Sequence, residues 1–171
     1  MAMALNPMPA VLVVEDDDDD VFFLRRAFRQ AGITHAFHRV RDGEEGRHYL
    51  LGHPPFDDRH LHPFPCLVLL DLKLPRRDGF ELLESVRAEP ALRRLPLIVL
   101  SSSKESVDVN RAYAAGANCY LVKPLRFEDL LELMRKFRAF WLESAHLPGG
   151  FPVSNGGKTP EPAAGAERDG G

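Results

Sequence analysis

The sequence predicts an α/β domain in which helices cover both faces of a doubly wound, five-stranded parallel sheet. Short apolar runs and helix-type apolar spacing alternate five times along the chain, which is typical of parallel strands joined by crossover helices. The runs lack polar alternation, as expected of strands buried on both faces. A length of 171 residues suits one domain with a full core.

The first predicted strand, residues 10–14, ends at an acidic run that starts with Glu15 and Asp16. This run opens a helix whose apolar residues recur at helical spacing until Gly32, a helix stop signal. Negative charge in the first turn of a helix is favoured by the helix dipole. The acids at positions 18–20 are therefore assigned to the helix start rather than to metal binding.

The second strand is predicted at residues 36–40, and a helix of roughly two turns then ends near Leu51. Residues 52–65 have no periodicity and contain four prolines and three histidines. Because these histidines lack the spacing of a metal site, the segment is interpreted as a mobile polar surface loop, longer than most connections.

The third strand, residues 67–70, ends directly at Asp71 and is bounded by prolines at positions 65 and 75. A buried strand that ends on a carboxylate points this acid into the crevice where open α/β sheets bind their ligands. Asp78 follows in a turn, where it is placed to cap the next helix.

The remaining elements repeat the alternation, and both strands again end on polar residues. The fourth strand stops at Ser101, whose neighbours Ser102 and Ser103 either share its role or cap the loop. The fifth strand stops at Lys123, which precedes Pro124. The strands are predicted at residues 97–100 and 119–122, and the helices at residues 107–115 and 127–144.

The composition narrows the class of protein. A net charge of -3 gives no reason to expect nucleic acid or an anionic membrane as a partner. No apolar stretch is long enough to span a bilayer, and the chain start lacks a secretory signal pattern. Two cysteines, Cys66 and Cys119, are too few for a disulfide framework, so a reduced, cytoplasmic protein is expected. Residues 10–147 form the predicted domain, and residues 1–9 and 148–171 are predicted to be disordered tails.

Polar side chains at the ends of the predicted strands form one candidate site. The carboxyl ends of parallel strands share one edge of the sheet, so these side chains are expected to converge. Clustered carboxylates without His or Cys suit a hard cation such as Mg²⁺. A carboxylate beside Mg²⁺ and a lysine is suited to receive a phosphoryl group, because both cations neutralise charge on its oxygens. The members are Glu15, Asp16, Asp71, Ser101 and Lys123.

In order and context, these residues resemble the receiver domain of two-component response regulators, which has a flavodoxin-like fold. The resemblance covers roughly residues 10–144. It implies that Asp71 accepts a phosphoryl group from a sensor histidine kinase. It also implies that the protein is a signalling protein and not an enzyme, apart from catalysing its own phosphorylation and dephosphorylation. The matching residues are Glu15, Asp16, Asp71, Ser101, Tyr120, Lys123 and Pro124.

The resemblance also implies how the metal is held. Asp16 is expected to ligate Mg²⁺ directly, together with Asp71, and Glu15 is expected to help through water. The backbone carbonyl of Lys73 is the third expected protein ligand. Lys123 is expected to pair with the phosphate, and its bond to the following proline, Pro124, is expected to be cis.

A conformational switch is the further implication of the resemblance. Phosphorylation adds about -1.5 to -2 charge and strong acceptors at one point. The hydroxyl of Ser101 is expected to move towards the phosphoryl oxygen, and Tyr120 then turns inward behind it. A Tyr120 ring that stays fixed in the core is the alternative for that residue.

A narrower resemblance concerns the partner of the domain. The segments 71–79 and 140–148, with the long loop at 52–65, are similar to stand-alone response regulators that partner bacterial phytochromes. This similarity implies a phytochrome-type histidine kinase as the phosphodonor.

The last predicted helix carries two apolar ridges, of which only one is needed to cover the sheet. Exposed aromatic residues on such a second ridge usually mark a contact with a partner. A homodimer is therefore predicted, built largely on this helix and its extension. The proposed interface residues are Leu133, Phe137, Phe140, Trp141 and Leu142.

Four other functions are compatible with some of these residues. The protein could be a phosphate sink or an intermediate in a phosphorelay, or a degenerate receiver that serves as a constitutive scaffold. A phosphatase of the haloacid dehalogenase type also uses a strand-end Asp and Mg²⁺. Such enzymes carry an acid two residues after the nucleophile, where this chain has Lys73, which disfavours that function.

Overall fold

The structure, a computed structural model, describes residues 9–74 and 78–149. It confirms the predicted five-stranded, all-parallel sheet, with strand order β2-β1-β3-β4-β5. The strands are β1 (Ala10–Val14), β2 (Ala36–Val40), β3 (Pro65–Leu70), β4 (Leu97–Ser101) and β5 (Cys119–Val122). The helices are α1 (Asp18–Gln30), α2 (Gly43–Leu51), α3 (Gly79–Ala88), α4 (Ser106–Ala114), α5 (Phe127–Phe137) and a terminal π-helix (Arg138–Ser144).

Two apolar cores lie on opposite faces of the sheet. Successive strand residues point to opposite faces, so Leu12 of β1 joins one core and Val13 joins the other. One core is closed by α2 and α3, with Ala112 of α4 also packed into it, and the other is closed by α1 and α5. All five residues of β1 are buried, which explains why its sequence shows no polar alternation.

The register of the central strands positions the site. Val14 of β1 lies opposite Leu70 of β3, so the residues that follow, Glu15 and Asp71, leave the sheet side by side. The Asp71 N–H donates to the Val14 carbonyl at 3.0 Å, which extends the ladder by one bond to the acid itself.

Aspartate caps start three of the helices, and at α2 the Asp42 side chain accepts from the Glu45 N–H at 2.9 Å. Asp17 caps α1 and accepts from the N–H groups of Asp19 and Asp20, both at 2.9 Å. Asp78 caps α3 and accepts from the Phe80 N–H at 3.2 Å, as predicted.

The loop between α2 and β3 is bonded to the domain, which argues against the mobile loop indicated by its irregular sequence. Arg59 donates to the carbonyls of Tyr49, Leu50 and His62 at 2.8, 3.0 and 3.2 Å, and so satisfies the end of α2. The buried Tyr49 hydroxyl donates to the Pro63 carbonyl at 3.0 Å.

The predicted last helix changes its winding at its midpoint. The α-helical part ends at Phe137, and residues Arg138–Ser144 form a π-helix. There the Arg138 guanidinium donates to Glu143, five residues later, at 2.8 Å, and also to the Ala31 carbonyl at 2.8 Å. A π-turn brings residues five apart into line, so the contact between Arg138 and Glu143 favours the wider winding.

One residue of the predicted dimer interface is misassigned. Phe137 is buried in the core beside α1, with its ring 6.1 Å from that of Phe28, so it cannot face a partner. Leu133, Trp141 and Leu142 are half-buried against the same core, whereas Phe140 is 60% exposed.

The predicted tails lie almost wholly outside the described residues, which begin at residue 9 and end at residue 149. Among the helices that the structure describes, none combines the length and apolarity that crossing a bilayer requires.

Candidate phosphoacceptor and metal site

Three carboxylates converge at the carboxyl edge of the sheet. Glu15 follows β1, Asp71 follows β3, and Asp20 reaches the same point from the first turn of α1. Each offers one oxygen to a group whose members all lie within 4.8 Å of one another. Such proximity of like charges requires a cation to offset the repulsion.

Lys123 supplies that cation in the structure. Its ammonium donates to Glu15 at 2.7 Å, to Asp20 at 2.7 Å and to Asp71 at 3.0 Å. Burial by itself would lower the pKa of Lys123, but the charge of Asp71 and the bonds to Asp20 and Glu15 raise this pKa overall. The lysine is therefore held firmly in its charged form.

Glu15 is the most buried of the three acids, with 4% of its surface exposed. Burial raises the pKa of its carboxyl group above the ordinary value, although Lys123 opposes the shift. Its other oxygen accepts from the Asp17 N–H at 3.1 Å, so both oxygens have partners.

Asp71 is anchored by its neighbours in sequence. It is 8% exposed, and one carboxylate oxygen accepts from the Lys73 N–H at 3.1 Å. The second oxygen faces the Lys123 ammonium. The backbone of Lys73 therefore runs beside the carboxylate.

Asp20 was wrongly assigned to the helix start alone, and Asp16 lies outside the group of three. The carbonyl of Asp16 accepts from Arg39 at 2.8 Å, and its side chain is not a member of the cluster. Helical spacing could have identified Asp20, because residues four apart share a face and Leu24 is buried.

The serines after β4 have separate roles in the structure. Ser101 is fully buried at the end of β4, and its carbonyl accepts from the Lys123 N–H at 2.8 Å. The Ser103 hydroxyl donates to Asp108 of α4 at 2.6 Å, which ties the loop to that helix. Ser102 is exposed. Ser102 lines a cavity that Lys123 also lines. Ser101 and Ser102 therefore both remain candidates for contact with a phosphoryl group, whereas Ser103 is explained by the loop.

Tyr120 is tied to the same loop. Its hydroxyl donates to the Ser103 carbonyl at 3.1 Å, and its half-buried ring packs against the core closed by α2 and α3. A movement of the β4–α4 loop would therefore change the contacts of this ring directly.

The expected cis bond before Pro124 is not found. The cis peptide bond of the described residues joins Pro54 to Pro55 instead. The trans form is favoured by about 0.5–1 kcal/mol in bonds that precede proline, and Lys123 reaches all three acids without the cis form.

A cavity of about 300 Å³ opens beside the acids, between α1 and the start of α5. Glu15, Asp20 and Lys123 line its polar end, and Phe23 and Leu130 lie on its apolar wall. The cavity reaches Glu15 and Asp20 from one side of the sheet edge, whereas Asp71 is not among its lining residues.

The donor set fits a hard divalent cation. The three acids offer oxygen ligands only, without His or Cys, and they are close enough for one ion to bridge. Mg²⁺ prefers such ligands and usually keeps several of its waters, which the open cavity has room to hold.

Gly79 at the start of α3 lies close against the backbone of Asp71 and Leu72. A Cβ on Gly79 would press against the Asp71 carbonyl oxygen and lie 2.7 Å from the Leu72 Cα. We therefore expect Gly79→Ala to lower the free energy of unfolding by about 2 kcal/mol, because rigid backbone must move. Urea denaturation measures this loss.

The matched control for this substitution is Gly149→Ala, where a Cβ meets nothing within 4 Å. An equal and small effect of both substitutions would show that the contact with the Asp71 backbone is not tight.

The chain matches the response regulator receiver domain family over residues 11–135. Among named relatives, the probable methanogenesis regulatory protein FilR2 of Methanothrix harundinacea is 37% identical, over 81% of this chain and 87% of its own. The response regulator Rcp1 of Synechocystis sp. is 34% identical, over 84% of this chain and 95% of its own.

Solved structures of response regulators share the fold. RPA3017, from red light signaling of R. palustris, is 39% identical with a TM-score of 0.80, over 84% of this chain and 100% of its own. The phosphorylated cyanobacterial phytochrome response regulator RcpA is 32% identical with a TM-score of 0.77, over 83% and 99%. The Mn²⁺-bound form of Rcp1 is 33% identical with a TM-score of 0.75, over 82% and 99%. With a family match over most of the chain and these relatives along nearly all of their lengths, the protein belongs to the response regulator receiver domain family.

Proposed function

We propose that Asp71 accepts a phosphoryl group from a sensor histidine kinase in a reaction that the domain itself assists. The observation that carries the proposal is the placement of the Asp71 carboxylate. It lies at the end of the central strand, within 4.8 Å of two other acids and 3.0 Å from the Lys123 ammonium. This arrangement suits a nucleophile that needs a metal ion and a fixed positive charge.

The transfer requires little covalent chemistry from the protein. A carboxylate oxygen of Asp71 bonds to phosphorus while the bond from phosphorus to the donor nitrogen breaks and the imidazole leaves. Mg²⁺, when bound, neutralises charge on the phosphoryl oxygens. Lys123 is already held charged and needs only to turn from Asp71 to a phosphoryl oxygen.

The proposed metal ligands are Asp71, Glu15, Asp20 and the carbonyl of Lys73. Asp16 remains a candidate direct ligand, which would have to turn its side chain inward. The chemistry of the oxygen donors supports Mg²⁺, as does the Mn²⁺-bound form of the related Rcp1. Incubation with Mg²⁺ and a small phosphodonor, followed by peptide mapping, tests whether the phosphoryl group resides on Asp71.

The proposed switch connects this event to the surface. A phosphoryl group on Asp71 offers acceptors to the Ser101 hydroxyl, and a shift of the β4–α4 loop would change the Tyr120 contact with Ser103. The gap between two such states needs to be only a few kcal/mol.

A phytochrome-type kinase is the proposed donor. RcpA is a phytochrome response regulator and RPA3017 belongs to red light signaling. The similarity to this chain extends over nearly the whole length of both proteins. Light-dependent phosphotransfer from a chromophore-loaded phytochrome kinase tests the pairing. Equal transfer from an unrelated histidine kinase would contradict it.

A cytoplasmic location is part of the proposal, in keeping with the free thiols of Cys66 and Cys119.

A homodimer centred on Phe140 is the proposed assembly, with Leu133, Trp141 and Leu142 beside it. Phe140 is 60% exposed and packs edge-on against Trp141. We expect light scattering at micromolar concentration to give a dimer mass for the wild type and a monomer mass for Phe140→Arg, because a charge there would be buried.

The matched control is Phe22→Arg on α1, since Phe22 is exposed to the same extent. That variant should stay dimeric, and a monomeric wild type would refute the dimer.

A further inference from the structure

Arg39 of β2 reaches across to the loop that carries the acids. Its side chain is 15% exposed, and its Nε donates to the Glu15 carbonyl at 2.9 Å. One terminal nitrogen donates to the Asp16 carbonyl at 2.8 Å, and the other donates to the Asp18 carboxylate. One guanidinium therefore spans the turn between β1 and α1.

These bonds fix the backbone of the acidic loop. The guanidinium is planar, so its donors hold the carbonyls of Glu15 and Asp16 at set angles. The Glu15 N–H donates to the Val40 carbonyl at 3.0 Å, next to Arg39 on β2. The backbone of Glu15 is thus held at both its N–H and its carbonyl, which directs its side chain towards Lys123 and Asp71.

The contacts of Arg39 offset charge repulsion within the acidic run. Six successive acids, residues 15–20, repel one another and oppose a compact turn. Arg41 also faces Asp18, at 3.2 Å, but this arginine is 58% exposed. In the contacts described for it, the Arg41 guanidinium meets only the Asp18 side chain, whereas the Arg39 guanidinium also meets backbone carbonyls.

We propose that Arg39 is a positioning residue that sets the divalent-cation affinity of the site by fixing the backbone of Glu15 and Asp16. The proposal rests on the proposed Mg²⁺ site. Arg39 would act through other residues, because its guanidinium does not contact the carboxylates of the three clustered acids.

The sign of the effect separates positioning from simple charge. Arg39 and a metal ion are both positive, so as a charge alone Arg39 would weaken cation binding, and its removal would strengthen binding. As a positioning residue it strengthens binding, and its removal weakens binding. Groups that orient metal ligands typically change metal affinity by about 10–100-fold when they are lost.

Titration of the full chain with MgCl₂ in a calorimeter tests the proposal. We expect the dissociation constant to rise about tenfold in Arg39→Ala, and to rise also in Arg39→Lys, which keeps the charge but not the planar fork. Arg41→Ala removes the same charge from the same Asp18 without loss of a backbone contact, and should bind Mg²⁺ as tightly as the wild type or slightly more tightly.

Urea denaturation of each variant shows whether it is folded at the titration temperature. If Arg39→Ala does not fold, Arg39→Lys carries the test. Unchanged or tighter binding in a folded Arg39 variant overturns the positioning role and leaves the Mg²⁺ site standing. A wild type that binds no Mg²⁺ overturns both.

Discussion

We expect Asp71→Asn to abolish phosphorylation of the chain by a small phosphodonor in the presence of Mg²⁺. The amide nitrogen that replaces a carboxylate oxygen is a poor nucleophile, and the neutral side chain is a weaker metal ligand. Glu15 is not expected to replace Asp71 as the acceptor, because it is even less exposed. Radioactive labelling or intact mass spectrometry measures the loss.

The substitution is close to isosteric, so the fold should persist. An Asn carbonyl oxygen still accepts from the Lys73 N–H or from Lys123, and the free energy of unfolding should change by only about 1 kcal/mol. Asp57→Asn is the matched control, because Asp57 is an exposed acid of the long loop. Labelling that survives in Asp71→Asn at the wild-type rate would refute the assignment of the phosphoacceptor.

The fold was predictable because each strand carries its own signal. Every strand of the sheet begins and ends within two residues of its predicted bounds, and the runs of buried apolar residues explain why. Parallel strands then require the crossover helices, so the topology follows from the alternation itself. The residues at the strand ends, among them Asp71 and Lys123, were found by the same logic.

The contribution of Asp20 could not be found from strand ends, because this acid belongs to a helix. Its place in the site depends on the rotation of α1, which the burial of Val21 and Leu24 sets. Charge in the first turn of a helix has an ordinary explanation in the helix dipole, and that explanation is sufficient for Asp19 but not for Asp20.

Long-range contacts of arginines were equally invisible in the sequence. Arg59 anchors the loop after α2, and Arg138 links the π-helix to the end of α1. A guanidinium bonds to carbonyls of any residue type, so no motif marks its target. Phe137 was misassigned for a related reason, since two apolar ridges on one helix do not reveal which one faces the sheet.

Lys123→Met should have the largest effect on stability. Three carboxylates within 4.8 Å of one another would lose their shared cation, and unpaired buried charge is costly. Lys123 is 13% exposed, so solvent screens the loss only in part. We expect the free energy of unfolding to fall by about 2–3 kcal/mol at neutral pH, measured by urea denaturation without divalent cations.

The pH dependence of this loss follows from the raised pKa of Lys123. Burial opposes the charged form, but Asp71, Asp20 and Glu15 outweigh it and raise the pKa above the ordinary value of 10.5. The stabilisation is therefore fully present below pH 10.5 and is lost as the pH rises through the folded-state pKa. The difference between wild type and Lys123→Met should stay constant from neutral pH to about pH 10 and shrink only above that range.

Mg²⁺ should restore part of the stability of Lys123→Met. An ion that binds the folded chain and not the unfolded chain stabilises it in proportion to the logarithm of its concentration. Without the ammonium, the same three acids are free to engage the ion, so the variant should gain more from Mg²⁺ than the wild type does. Lys136→Met, which removes a 73% exposed lysine of α5, should show neither the loss nor the rescue. A Lys123→Met variant as stable as that control would show that the ammonium does not hold the carboxylates together. Charge neutralisation at this edge of the sheet would then have to come from a bound ion.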